Sequence, residues 1–268
     1  MHKISSVKIG KLEYLRSDNL TAPHCFTTRF GGVSQGHLAS LNLGTRRGDS
    51  RENVLANYRI LGEAIGFAPE DLVLTKQTHT DIVKVVGSDH RGAGLFSPDL
   101  EDCDGLITNT PGVGLAAFTA DCTPILLEDP VTGAVGAVHA GWRGTVADIA
   151  GKAVAAMVKN FGCKPGNIRA AIGPNIAQCC FQTDKDVPEA VLAQFGKAAE
   201  KYIQQRENKY YVNLKAVNAL ALERAGVTDI AVSDACTACQ PDRFWSHRVV
   251  GQNRGSLGAI IACKGGTR

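Results

Sequence analysis

The sequence predicts an α+β (mixed α/β) fold: a single domain over residues 1–268 in which mixed β-sheets are flanked by helices. Three observations point there. Short apolar strands cluster between helical segments instead of alternating with them one for one, which excludes a regular βαβ series. No internal repeat, low-complexity tract or Pro/Ser-rich linker divides the chain. Its 268 residues, 44% hydrophobic and 21% charged, can close a large core without disulfide staples.

The elements follow in order. Val7 to Leu15 alternates loosely and reads as a strand or hairpin, and HCFTTRF (24–30) reads as a second strand ended by Gly31-Gly32. Ser50 is placed to cap a helix whose apolar face is Val54, Leu55, Tyr58, Leu61 and Ile65, closed by Gly66. Short strands are expected at Leu72–Leu74, Ile82–Val86, Leu106–Thr108, Gly114–Phe118 and Ile125–Leu127. The turn sequence Asp129-Pro130-Val131-Thr132-Gly133 leads into another at Ala134–His139. Thr145 with Asp148 approximates a capping box for a helix with its stripe on Val146, Ile149, Ala150, Ala153, Val154 and Met157, stopped by Gly162. A strand at Ile168–Ile172, helices at about Asp184–Gln204 and Val212–Arg224, and strands at Ile230–Ser233 and Leu257–Ala262 complete the set.

The balance of 29 basic and 26 acidic side chains, net +3, gives no electrostatic footprint for nucleic acid or a membrane surface. No apolar run approaches the roughly 18 residues that span a bilayer, and MHKISSVKIGKL lacks a signal-peptide core. A cytoplasmic protein acting on a small molecule is therefore expected. The nine cysteines cannot all pair within one chain, and in a reducing compartment they read as thiols, metal ligands or a nucleophile.

Three segments concentrate chemistry just past apolar strands: Lys76-Gln-Thr-His79, Thr119-Ala-Asp-Cys122-Thr-Pro124 and His139-Ala-Gly-Trp-Arg-Gly-Thr145. Strand ends on one sheet edge can converge, and two neutral imidazoles with one thiolate bind zinc while leaving a fourth position open to water. The plainer alternatives are a buried Cys122, a structural His79, and a strand–helix corner with a packed Trp142. Asp121 suits ligand orientation or proton transfer, and Arg143 an anion contact at the start of a helix. Arg243-Phe-Trp245-Ser-His-Arg248 reads either as a clamp for a planar ring and an anion or as a packed aromatic loop. Cys236-Thr-Ala-Cys239 lacks a second C-x-x-C, since the chain offers only the adjacent Cys179-Cys180, so a structural zinc there is not favoured. Dinucleotide and P-loop fingerprints are missing, and with no H-x-H pair among the seven histidines and only Met1 and Met157 as methionines, a trinuclear copper cluster is hard to build.

The combination of TTRFGGVS (27–34), SLNLG (40–44), ENVLANYRIL (52–61), QTHT (77–80), TADCTPILL (119–127), HAGWRG (139–144), IGPNI (172–176) and DACT…FWSHR (234–248) resembles the bacterial multicopper-oxidase or laccase-domain family. That family is also called polyphenol oxidase, peptidoglycan editing factor or purine nucleoside phosphorylase. The resemblance runs from about Thr27 to Ala262. It implies a fold related to the cytotoxic-necrotizing-factor catalytic domain and a zinc site formed by His79, Cys122 and His139. It also implies phosphorolysis of adenosine, inosine and methylthioadenosine with adenosine deamination, or hydrolysis of UDP-N-acetylmuramyl-L-serine. Copper remains a matter of the family name only.

For such reactions Arg143, Arg29 and Arg59 are the candidates to hold phosphate, and Asn42 and Asn57 to contact ribose. Trp142 or Trp245 is the candidate to stack on the base, with Arg248 lining the aromatic loop. The usual QVHG is QTHT here, and an FFSYRR-like segment is Phe244-Trp-Ser-His-Arg248-Val249, departures that leave the His/Cys/His set intact. Of the nine cysteines only Cys122 is given a role. Cys179 and Cys236 lie in motifs without one, and Cys25, Cys103, Cys163, Cys180, Cys239 and Cys263 read as buried or incidental thiols.

Overall fold

The computed structural model describes residues 2–264. Its strands are Ile4–Ile9 (β1), Leu12–Ser17 (β2), His24–Thr27 (β3), Leu72–Leu74 (β4), Val83–Val85 (β5), Gly105–Thr108 (β6), Gly114–Thr119 (β7), Thr123–Asp129 (β8), Ala134–Ala140 (β9), Arg169–Ile172 (β10), Gln182–Thr183 (β11), Ile203–Arg206 (β12), Lys209–Val212 (β13), Asp229–Val232 (β14) and Leu257–Ala262 (β15). The helices are Arg51–Ile65 (α1), Trp142–Val146 (α2), Ile149–Phe161 (α3), Asp186–Phe195 (α4), Leu214–Arg224 (α5) and His247–Val250 (α6). The arrangement is the mixed α+β class expected.

Two six-stranded sheets carry the fold, ordered β1-β2-β3-β15-β7-β4 and β14-β10-β8-β9-β6-β5, beside a small sheet β11-β13-β12. Alternation along the strands builds three apolar layers, because successive side chains leave a strand on opposite faces. Leu126 of β8 joins Leu115, Ala117, Leu257 and Ile261 of the other sheet in the layer between the sheets. Its neighbours Ile125 and Leu127 face the opposite way, onto α3 and α5 through Val154, Met157 and Val217. Ala116 and Ile260 likewise turn outward to meet Val54, Tyr58 and Leu61 of α1. Central strands buried on both faces explain why their sequences are mostly apolar, with the polar residues of β7, β8 and β9 at or near the strand ends.

Local signals place most ends. Ser50 Oγ accepts from Asn53 N at 3.1 Å to start α1, and Gly66 ends it with φ 93°. Two expectations are corrected. The helix after β9 does not open at Thr145: α2 stops at Val146, and Asp148, with φ 58°, caps α3 by accepting from Gly151 N. Thr145 is instead buried and accepts from Asn218 Nδ2 at 2.9 Å. The long helix read over Asp184–Gln204 breaks at Gly196 (φ 60°, ψ −157°), and the chain continues as a 3₁₀ turn and β12.

Sheet-to-sheet packing leaves no room at Gly173, just beyond β10. A Cβ there would lie 2.3 Å from the Phe26 ring, which occupies the space between the sheets. Gly173→Ala is expected to lower stability by about 1–3 kcal/mol, read from the denaturant midpoint with an unchanged slope.

Candidate active site

The two sheets are joined by segments that leave one and enter the other, and these crossings carry the candidate residues. Residues 120–122 link β7 to β8, and residues 75–82 link β4 to β5. The β8–β9 register pairs Thr123 with Ala140 and Pro124 with His139, which brings Cys122 to the open end of that hairpin beside Gly141. Gln77 fixes the other crossing by receiving Phe118 N at 2.6 Å and donating to Phe118 O at 2.8 Å.

At this corner the ligand atoms of His79, Cys122 and His139 all lie within 4.8 Å of one another. Cys122 Sγ is 4.0 Å from His79 Nε2, and the two imidazole rings meet edge to face at 5.0 Å. His79 is exposed, Cys122 half-buried and His139 buried. Gly141 is required by this convergence, because a Cβ on it would stand 2.9 Å from the His79 ring and 3.5 Å from Cys122 Sγ.

Asp104, fully buried before β6, organises the corner. Its carboxylate accepts from the backbone N–H of Thr78, His79 and Thr80 at 3.2, 3.1 and 2.8 Å, and from Thr80 Oγ1 at 2.8 Å. It also meets His139 Nδ1 at 2.7 Å, which fixes that ring and leaves Nε2 for the site. This cradle holds His79 in the left-handed region, φ 63°, where a non-glycine residue is strained. Burial works against the charge on Asp104, but the bonds from His139 and Thr80 hold its carboxyl down at about 2. Burial also opposes ionisation of Cys122, yet the cationic His139 and the contact with His79 lower its thiol to about 6. The His139 imidazole, pushed down by burial, is raised to about 9 by the Cys122 thiolate and Asp104. With no cation bound, the residues therefore favour a thiolate–imidazolium pair at neutral pH.

Two cavities meet at Cys122 and His79. One, of about 260 Å³, is lined by Arg46, Arg47, Lys76, Gln77 and Arg254 among others, with His139 at its base. The other, of about 400 Å³, is lined by Asp121, Ile176, Phe181, His247 and Arg248. Arg47, Ala120 and Arg254 border both. Burial and the nearby Arg47 lower the Arg254 guanidinium to about 10, so it remains cationic at neutral pH.

Several residues expected here stand elsewhere or serve other partners. Asn42 and Asn57 are fully buried. Asn57 bonds Val33 N, Ser34 Oγ and Asn42 O, while Asn42 bonds Gly44 N, Ser256 N and Asp49. Their amides thus order the loop that carries Arg46 and Arg47. Arg29 donates to Ala39 O and Pro241 O and stacks 3.8 Å from the centre of Trp245, whose indole is buried and donates to Leu41 O. Arg143 stacks on Trp142 at 4.3 Å, and neither borders the two cavities; nor does Arg59, exposed on α1. Asp121 does border the second cavity, but it accepts from Thr237 Oγ1 and Arg248 N at 2.6 Å each, with its own φ at 92°. Arg248 reaches back to Cys180 O and Gln182 O. Asp104, Arg46, Arg47 and Arg254 are additions the sequence reading did not make; TRRG directly after SLNLG was the one available signal for the arginine pair.

The paired sheets thus set a His/Cys/His corner on strand crossings between two cavities. The family model described as multi-copper polyphenol oxidoreductase laccase matches residues 23–264, and the chain belongs to that family. It is 41% identical to a protein named purine nucleoside phosphorylase from Deinococcus radiodurans, covering 93% of this chain and 92% of the relative. It is 34% identical to a protein named adenosine deaminase RL5 from an unknown prokaryotic organism, covering 93% and 96%. The crystal structure of YlmD from Geobacillus stearothermophilus superposes with a TM-score of 0.92 at 34% identity, covering 98% of this chain and 100% of that one. No helix among the described residues is long and apolar enough to cross a membrane.

Asp104→Asn removes the negative charge that supports the His139 imidazolium. The His139 pKa then falls, less cation faces Cys122 at a given pH, and the Cys122 pKa rises. In chelator-treated protein, the pH midpoint for iodoacetamide alkylation of Cys122 is expected near 6 for the parent and at least about one unit higher in the variant, followed by peptide mass spectrometry.

Proposed function

We propose that the protein is a zinc-dependent purine nucleoside enzyme, phosphorolysing adenosine, inosine and methylthioadenosine and deaminating adenosine as a second activity. The observation that carries this reading is the placement of His79, Cys122 and His139 within 4.8 Å at the junction of two cavities. The names of the relatives, purine nucleoside phosphorylase and adenosine deaminase, support it.

The donor set fits zinc. Two imidazoles and one thiolate are borderline-soft donors, Asp104 supplies the outer carboxylate that orients a ligating histidine, and three protein ligands leave a position open. His79 Nε2, Cys122 Sγ and His139 Nε2 would hold the ion. When bound, it supplies Lewis-acid activation of water for attack on the purine C6. Among the described residues the metal-ligating groups are this triad and a set of four cysteines, which gives a multicopper centre too few imidazoles.

The remaining work falls to the chain. In phosphorolysis a phosphate oxygen attacks the ribose anomeric carbon as the bond to the base breaks. Arg47 and Arg254, bordering both cavities, would hold the phosphate and offset its charge, with Arg46 and Lys76 at the rim. Phe181 and Ile176 give the second cavity an apolar wall for the base. Asp121, already engaged by Thr237 and Arg248, would position that wall and not transfer protons. A cytoplasmic setting suits a chain with nine free thiols.

One observation favours a second reading, a thiol hydrolase acting on an amide such as UDP-N-acetylmuramyl-L-serine. Asp104, His139 and Cys122 stand in series as orienter, base and nucleophile. Product chromatography separates the two. Adenosine is expected to yield adenine only with phosphate and inosine without it, and activity should be lost to a strong chelator. Release of serine that survives the chelator and stops on alkylation establishes the thiol reading instead. Cys122→Ala is expected to lose one zinc equivalent per chain, that of the His79/Cys122/His139 site, and at least about a hundredfold in turnover. Retention of both by that variant would overturn the metal mechanism. Arg254→Gln is expected to raise the phosphate KM about tenfold or more while adenosine deamination changes less than about twofold, measured by steady-state kinetics on the two reactions.

A further inference from the structure

The C-x-x-C pair that lacked a partner in the sequence finds one in space. Cys179 and Cys180, after β10, meet Cys236 and Cys239, after β14, and the four sulfurs all lie within 4.8 Å of one another. Three of the separations are 3.7 Å (Cys179–Cys180), 3.6 Å (Cys179–Cys239) and 3.4 Å (Cys180–Cys239). A tetrahedral ion with Zn–S bonds of about 2.3 Å requires sulfurs about 3.8 Å apart, so this spacing suits one shared cation. It is far longer than a disulfide bond of about 2.05 Å. The surroundings match a thiolate site: Ala177 N donates to Cys236 Sγ at 3.3 Å. Close by, Lys215 is buried with its ammonium on Ser233 O and Ala235 O at 2.7 and 2.6 Å.

We propose that Cys179, Cys180, Cys236 and Cys239 form a second, closed metal site that holds one structural zinc ion. Binding replaces four S–H protons, released to solvent, with four Zn–S bonds, and it involves no redox step. The resulting negative centre balances Lys215. Its consequence is mechanical, because one of the loops it ties carries Ile176 and Phe181 of the second cavity's wall and the other holds Asp121 of that wall through Thr237. Cys180 O and Gln182 O receive the Arg248 guanidinium, and Thr237 Oγ1 holds the Asp121 carboxylate. Thr237 N adds a bond to Asn175 O at 3.0 Å, beside the bridge between Asn175 and Cys236.

The test is metal stoichiometry together with thiol protection on the full chain purified under reducing conditions. Zinc analysis is expected to give about two ions per chain, falling to about one in Cys122→Ala and to about one in Cys180→Ser/Cys239→Ser. Cobalt loaded into Cys122→Ala should give the intense visible bands of a tetrahedral all-thiolate ion, and these should vanish when the Cys180 and Cys239 changes are added. The parent protein supplies a readout that needs no variant: Cys179, Cys180 and Cys239 should resist alkylation until a chelator is added, then react at least about tenfold faster. Rapid alkylation of the zinc-loaded protein at these thiols overturns the proposal. So do a Cys180–Cys239 disulfide found by mass spectrometry in the reduced preparation and zinc stoichiometry unchanged in the double variant.

Discussion

One buried carboxylate holds the candidate site together. Asp104 gathers three consecutive backbone N–H groups, a hydroxyl and an imidazole N–H, and each of those groups belongs to a different job. The amides bend the 75–82 crossing so that His79 turns inward against its backbone preference. The imidazole is His139, at the end of a central strand of the other strand pair. Remove the carboxylate and five donors lose their acceptor in a place that water reaches poorly, at a cost of about 1–3 kcal/mol for each left unsatisfied. The stability of the crossing and the geometry of the ligand set are therefore one property.

The same economy of position recurs on the far side of Cys122. Asp121 spends both oxygens on structure, one on Thr237 and one on the start of α6, so the turn that presents the thiol is braced by the loops that wall the second cavity. Those loops meet again at the four cysteines. Two clusters of side chains able to ligate a metal are thus linked through the hydrogen bonds of Asp121, Thr237 and Arg248. The arrangement divides labour. One cluster is open to two cavities, and the other closes the wall.

Some of this was legible in the sequence. The caps of α1 and the strands β4, β7 and β15 followed from periodicity and turn residues, and strand-end position marked His79, Cys122 and His139 as residues able to converge without fixing that they do. What failed did so for definite reasons. Asn42 and Asn57 look like ribose contacts by residue type and motif position; here Asn42, in its loop, and Asn57, on α1, are buried and form the hydrogen-bond frame that orders that loop. Arg143 and Arg29 look free for phosphate, yet each lies over an indole ring. The helix expected to open at Thr145 is split into α2 and α3, and Thr145 lies buried inside α2 on Asn218 of α5, a contact no local rule contains.

What the sequence determined by itself is therefore the local vocabulary: which segments are strands, where helices are capped, and which residue types able to bind a metal end up past a strand. Those depend on interactions between near neighbours, and the periods of side-chain direction express them directly. The tertiary structure alone decided which of those residues meet. Asp104 is an ordinary aspartate until β6 pairs with β9. Arg46, Arg47 and Arg254 become a cationic cavity only when residues some two hundred positions apart fold to one rim. Cys179-Cys180 and Cys236-Thr-Ala-Cys239, unmatched as text, become a four-sulfur cluster because β10 and β14, which they follow, pair in parallel and release both segments at the same end of the sheet. Each is a long-range coincidence of position, and it is packing, not composition, that sets it.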